Sequence, residues 1–278
     1  MVSEPYNLLR GDFIKIMSDF TLKNISFSYP NTDKVVLDNI STEISSGEFV
    51  CILGKSGCGK STLLKLFAGL NVPSKGELLF EDNVIKSASL DRGVVFQDYG
   101  LFPWMTAGEN IMLALKQRYK DKNSKELKEI ATDSLKQVGL DEKVYNTLPK
   151  HLSGGMQQRV AIAQVLSVNP KVFLMDEPFG ALDAVTRAKL QDLILELWNK
   201  NEVKRTVIFI THDVDEAIYL ANRIIVLGQS PSKIIYDKKI DLSEKTSREN
   251  LYTDEKMMML RNELIQIINK DISKKTLI

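Results

Sequence analysis

Gly54-Lys55-Ser56-Gly57-Cys58-Gly59-Lys60-Ser61 matches the pattern G-x-x-x-x-G-K-[ST]. Before it, Phe49-Val50-Cys51-Ile52-Leu53 is wholly apolar and reads as a buried strand; after it, Thr62-Leu63-Leu64-Lys65-Leu66-Phe67-Ala68 reads as a helix start. Strand, glycine loop and helix together let successive backbone N–H groups point inward at an anion, because glycine tolerates the curl that this needs. The helix N-terminus adds partial positive charge. Gly54 to Thr62 are therefore the candidate phosphate contacts of a bound nucleotide. Lys60 is placed to reach the β- and γ-phosphates, and the Ser61 hydroxyl to ligate Mg²⁺.

Working outward, the 278 residues are 44% hydrophobic and 26% charged, which is ordinary globular material with length for a sizeable core. Lys and Arg number 37 against 36 Asp and Glu, a net charge of +1. That balance lacks the basic excess of a nucleic-acid binder. No apolar run reaches membrane-spanning length, and Met1-Val2-Ser3-Glu4-Pro5 does not begin a secretory signal. Cys51 and Cys58 do not make a disulfide framework, which points to a reducing, cytoplasmic compartment. Two histidines without a cysteine–histidine cluster suggest no zinc site.

Residues 1–18 read as an extension with some helical character. Phe20 to Tyr29 alternate apolar and polar as a half-buried strand does, Pro30-Asn31-Thr32-Asp33 is a turn, and Val35 to Ile44 continue as strand. Glu77 to Phe80 and Gly93 to Phe96 are further short strands. From about 98 to 165 helical periodicity takes over; Leu127, Ile130, Leu135 and Val138 share a face, with Asn123 and Glu126 as a capping pair. Lys171 to Met175 suits a central parallel strand. Residues 183–199 predict a helix with Val185, Ala188, Leu193, Leu197 and Trp198 on its apolar side. Thr206 to Ile210 is a strand, Asp213 to Leu220 a helix and Arg223 to Leu227 a strand. Alternating strands and helices predict an α/β fold with a mainly parallel sheet. In the tail, 236–278, Met257, Leu260, Leu264, Ile267 and Ile268 form a helical stripe that suits the chain's own core, with a partner-binding helix as the alternative.

The second half carries two further constellations. The apolar run Val172 to Met175 ends in Asp176-Glu177-Pro178. At a strand tip Asp176 can hold Mg²⁺ and Glu177 can polarise an attacking water as general base. Leu152-Ser153-Gly154-Gly155-Met156-Gln157-Gln158-Arg159 is another small-residue loop opening a helix, a second anion site formed by Ser153, Gly154 and Gly155. One nucleotide seldom needs two cradles. The economical arrangement is a symmetric dimer in which each loop faces the partner's nucleotide.

On these motifs the chain resembles the nucleotide-binding subunit of an ABC (ATP-binding cassette) transporter over about residues 19–235. Leu152 to Arg159 matches the family signature, Phe173-Leu174-Met175-Asp176-Glu177-Pro178 its acidic strand end, Ala181-Leu182-Asp183 its D-loop and Thr211-His212-Asp213 its switch histidine. The resemblance implies a P-loop NTPase of ABC type: a mainly parallel sheet core, an antiparallel β subdomain and an inserted helical subdomain. It implies that Tyr29 stacks on adenine, that Gln97 contacts Mg²⁺ and the attacking water, and that His212 touches the γ-phosphate. Asp183 would link the two sites of the dimer, while Ser153 and Gly155 would act on the partner's ATP.

Phe96-Gln97-Asp98-Tyr99-Gly100-Leu101-Phe102-Pro103-Trp104-Met105-Thr106 resembles the corresponding segment of the nitrate, sulfonate and taurine importer ATPases, as does Met175 to Asp183. An exposed Leu101-Phe102-Pro103-Trp104 cluster suits an interface anchor for a membrane subunit; packing of the helical insert is the alternative. Gln164 stands where relatives carry arginine. The implied function is an ATP-hydrolysing subunit that energises a membrane importer for a small solute, an anion of the nitrate, sulfonate and taurine class, paired as a homodimer or with a second ATPase subunit on the cytoplasmic face of the membrane. Its partners would be integral permease subunits and, indirectly, an extracytoplasmic solute-binding protein. A repair or translation ATPase, an exporter subunit and a non-hydrolysing nucleotide-gated module are the rival readings. The tail is too short for an added ligand-sensing domain.

Overall fold

In the first strand, β1 (Ser18–Ser28), the inward residues change phase: Phe20 and Leu22 are buried, then Ile25 and Phe27. A bulge causes the switch. Asn24 takes a positive φ of 51° and the pairing register shifts between Leu22 and Ile25, so one extra residue is absorbed without turning the apolar face outward. β1 pairs antiparallel with β2 (Val35–Ser45) and with β4 (Lys75–Phe80); short β5 (Asn83–Val84) completes a four-stranded sheet of order β2-β1-β4-β5.

The computed structural model describes residues 18–30, 32, 34–180, 182–199, 205–240 and 248–276. The expected extension lies outside them except for Ser18, which already belongs to β1. Asn31 and Asp33 of the expected turn, Ala181, and parts of the tail (241–247, 277–278) also lie outside.

The second sheet has the order β10-β9-β3-β8-β7-β6. Its strands are β3 (Phe49–Leu53), β6 (Arg92–Val95), β7 (Val172–Asp176), β8 (Thr206–Thr211), β9 (Arg223–Leu227) and β10 (Ile234–Lys239). All pairings are parallel except that of β10 with β9. Side chains alternate across a strand, and here both faces are covered. Val50 and Ile52 of β3, Leu174 of β7 and Ile208 of β8 enter one core with β1, β2 and helix α1 (Lys60–Ala68). Phe49, Cys51, Phe173 and Phe209 enter the other core. This double coverage is why these strands are continuously apolar.

Helices α2 (Ala107–Arg118), α3 (Ser124–Gln137) and α4 (Gly154–Ser167) pack on one another inside the expected insert, and α4 also runs back to β6. Asn123 and Glu126 form the expected capping box of α3, and Thr106 with Glu109 forms another on α2. Helix α5 (Ala184–Asn199) buries Leu190, Ile194 and Trp198, whereas Val185 points to solvent, correcting its expected inward face. Val185 lies in the opening turn, held by the Asp183 cap, before the helix reaches the core. Helix α6 (Val214–Leu220) follows β8. Helix α7 (Glu255–Thr276) buries Met257, Leu260 and Leu264 in the chain's own core, so the tail stripe has its partner within the molecule.

Candidate functional site

Three adjacent parallel strands, β3, β8 and β7, end at one edge of the sheet. The glycine loop follows β3, Thr211-His212 closes β8, and Asp176-Glu177 closes β7. The carboxyl edge of a parallel sheet is where α/β proteins place ligands. Here it carries a cleft of about 440 Å³, lined among others by Tyr29, Ser56, Lys60, Ser61, Gln97 and Glu177.

The loop is built for an anion. Gly59 caps α1 at a φ of 107°, and no side chain caps the helix. No acidic residue occupies the first turn either. By contrast α2 and α3 satisfy their own first turns with Thr106 and Asn123. The α1 N-terminus therefore keeps donors and dipole for an outside charge. Lys60, nearly buried, donates to Gly54 O at 2.9 Å and Lys55 O at 3.3 Å, and stands 3.4 Å from Glu177 Oε1.

Glu177 is the hub on the opposite side. Its Oε2 lies 2.9 Å from His212 Nδ1, and its N–H donates to Ile210 O at 3.1 Å. Its φ of 43° is unusual for a residue with a side chain and turns the carboxylate into the cleft from the strand end. Beside it, Asp176 Oδ1 accepts from Ser61 Oγ at 2.9 Å. Burial pushes the Asp176 carboxyl above its usual range, and the Glu177 charge adds to this. Oxygen donors at close quarters with excess negative charge fit a hard divalent cation, so Ser61 and Asp176 are suitable ligands for Mg²⁺, with the Gln97 amide on the same cleft wall. Tyr29 also lines the cleft; it is 40% exposed, its hydroxyl 2.9 Å from Thr62 Oγ1 and its ring edge-to-face with Phe27.

Ser153, Gly154, Gly155 and Asp183 are absent from this cleft. Ser153 caps α4 through Met156 N–H, and Asp183 caps α5 through the N–H groups of Val185 and Thr186; the Thr186 hydroxyl first, and then these N–H groups, hold its carboxyl below the usual range. The two segments touch: a Cβ on Gly155 would stand 2.5 Å from Thr186 Cγ2, so only glycine fits there. They form a separate surface of the same chain.

The Cys58 side chain does not line the cleft. It is 2% exposed, its Sγ packs beneath Gly54, and its N–H donates to Lys55 O. Burial raises its thiol pKa, so thiol reagents do not report on the cleft as an accessible loop cysteine would. Sequence reading also missed Thr32, Lys34, Val36 and Ser230, which line the same cleft as Tyr29. Lys34 directly precedes β2, and Ser230 enters from a distant loop.

A second surface follows Gln97 in the chain. Trp104 is 72% exposed and Phe102 40%, with ring centroids 5.4 Å apart, while Leu101 packs on the core. Buried Asn110 staples this loop: it accepts from Phe102 N–H at 2.8 Å and donates to the carbonyls of Phe102, Met105 and Thr106. A groove of about 280 Å³ nearby is walled by Phe96, Tyr99, Ala161 and Gln164, which gives Gln164 a place on a groove wall.

The ABC transporter family model matches residues 37–180. The chain belongs to the ABC transporter family. Bicarbonate transport ATP-binding protein CmpD of Synechocystis sp. is 40% identical over 251 residues, 89% of this chain and 88% of that protein. Nitrate import ATP-binding protein NrtD of Synechococcus elongatus is 39% identical, over 87% of this chain and 88% of that one. Among solved ABC structures, the dimeric post-hydrolysis state of the ATP-binding cassette MJ0796, bound to ADP and Pi, aligns with a TM-score of 0.71 at 34% identity, covering 80% of this chain and 99% of that one. Among the described residues, no helix is long and apolar enough to cross a membrane.

Proposed function

We propose that this ABC-type ATPase energises import of a small anion, of the class that includes nitrate, sulfonates, taurine and bicarbonate. The observation that carries it is the convergence of Lys60, Ser61, Asp176, Glu177 and His212 on one sheet edge, in a chain that also displays the exposed aromatic pair Phe102 and Trp104. In this reading residues 19–235 form the ATPase domain, with a helical insert at about 98–165 and a tail at 236–278. The glycine loop, Gly54 to Thr62, binds the triphosphate through its N–H groups and Lys60, and Tyr29 stacks on the base. Ser61, Asp176 and Gln97 hold Mg²⁺, which when bound neutralises phosphate charge. Glu177 takes the proton of the attacking water, and His212, on its other oxygen, orients it toward the γ-phosphate.

Two copies close on two ATP molecules, with Ser153, Gly154, Gly155 and Asp183 of each reaching the partner's nucleotide. The dimeric state of the MJ0796 cassette supports this pairing. Trp104 and Phe102 receive permease subunits from the cytoplasmic side of the membrane, and a solute-binding protein delivers the anion outside. The names of the nitrate and bicarbonate relatives support the anion class. Affinity capture from solubilised membranes tests this. A polytopic membrane protein recovered in about equal amount is the expected result; recovery of ribosomal or DNA-repair proteins, or of no membrane protein, defeats the import reading and leaves the ATPase chemistry in place.

A further inference from the structure

The far end of α7 reaches the cleft through a single loop. Asp271 Oδ2 accepts from Gln229 N–H at 2.9 Å, and the Asp271 carbonyl accepts from the Gln229 side-chain amide at 2.9 Å. Gly228 permits the approach, since a Cβ there would lie 3.2 Å from Asp271 Oδ1 and 3.0 Å from Ile235 Cγ2. From Gln229 the chain passes to Ser230, which lines the cleft with Tyr29, Lys34 and Val36, and whose hydroxyl donates to Val35 O at 3.3 Å. Two residues later, fully buried Ser232 donates its hydroxyl to Cys58 O in the glycine loop and its N–H to Val36 O at 2.9 Å.

The segment 228–232 is thus held on three sides: by the glycine loop, by the start of β2 and by α7. The first two contacts belong to the nucleotide site itself. The third comes from a helix that is anchored elsewhere, with Arg261 Nε 2.6 Å from Asp215 Oδ1 on α6. A wall fixed before the ligand arrives loses less freedom on binding, which strengthens affinity without adding a contact.

We infer that Asp271 and Gln229 are positioning residues for the base end of the ATP cleft, and that the C-terminal helix sets nucleotide affinity through them. The inference rests on the reading of the cleft as the ATP site. Neither residue touches the nucleotide; they act through Ser230 and Ser232.

The test is ATP binding by the full chain, measured calorimetrically well below the melting temperature, with Lys60→Ala as control. Asp271→Ala is expected to raise the Kd for ATP about three- to tenfold, the scale of one ordinary hydrogen bond, because the contact acts on the cleft only through the loop. Asp271→Asn keeps an acceptor for the Gln229 N–H and is expected to restore much of the affinity. Gly228→Ala, which crowds the contact from the loop side, is expected to weaken binding similarly and serves if Asp271→Ala does not fold. Unchanged Kd in Asp271→Ala and Gly228→Ala, with only a lowered nucleotide-free melting temperature, overturns the inference and leaves a merely structural contact. Unimpaired ATP binding by Lys60→Ala overturns instead the reading of the cleft on which it rests.

Discussion

Lys60 Nζ and Glu177 Oε1 stand 3.4 Å apart, an ion pair between the glycine loop and the end of β7. In the proposed function, a triphosphate drawing Lys60 away would release Glu177, whose other oxygen faces His212, so that binding and freeing of the proposed base would be one event.

Glu177→Gln keeps the shape of the side chain and removes its basicity. ATP hydrolysis is expected to fall about 10²- to 10⁴-fold, the usual worth of general base catalysis, while ATP still binds. Size-exclusion chromatography with Mg²⁺ and ATP is expected to show an accumulated dimer. Turnover near that of the parent removes Glu177 from the role.

Ser61→Ala removes the hydroxyl that donates to Asp176. ATP affinity measured with Mg²⁺ is expected to drop about tenfold, and affinity measured in a chelator to change little. An equal loss under both conditions points to a distorted loop and not to a lost metal ligand.

Trp104→Glu replaces a side chain that is 72% exposed. Surface changes of this kind move stability by about 0.5 kcal/mol or less, so the melting temperature of the isolated chain is expected to shift by no more than about 2 °C. Recovery of the membrane partner is expected to collapse. Full recovery makes the aromatic pair irrelevant to docking.

Asp19 tests the pH dependence of the fold away from the cleft. Its buried carboxyl accepts from Thr206, and burial raises its pKa above the ordinary 3.8 despite that bond. A carboxyl with a raised folded-state pKa stabilises most when protonated; its contribution is lost as pH rises from 3.8 through the raised value. Asp19→Asn mimics the neutral form. Its stability relative to the parent is therefore expected to improve with rising pH across that window, read by urea titration at several pH values. A constant difference indicates that the carboxyl does not titrate in the window.

Much of this protein was readable in one dimension because the relevant signals are local. A glycine loop between an apolar strand and a helix start, the capping pair Asn123–Glu126 and the stripe Met257-Leu260-Leu264 depend on neighbours within a few residues, where backbone geometry dictates who meets whom. Acidic residues at the end of an apolar strand were likewise visible, and Asp176 and Glu177 lie within reach of Ser61 and Lys60. Strand order was not. Ser61 and Asp176 are 115 residues apart, and they meet because β8 sits between β3 and β7 and aligns all three strand ends. Tertiary packing alone turned Cys58 into the core, pointed Val185 outward and drew four hydrogen bonds from Asn110 onto the loop that displays Trp104. It also placed Asp271 behind Gln229 across 42 residues. Periodicity says which face of an element is apolar; which side chains then come within hydrogen-bond reach is settled by how the elements pack, a long-range property that spacing along the chain does not encode.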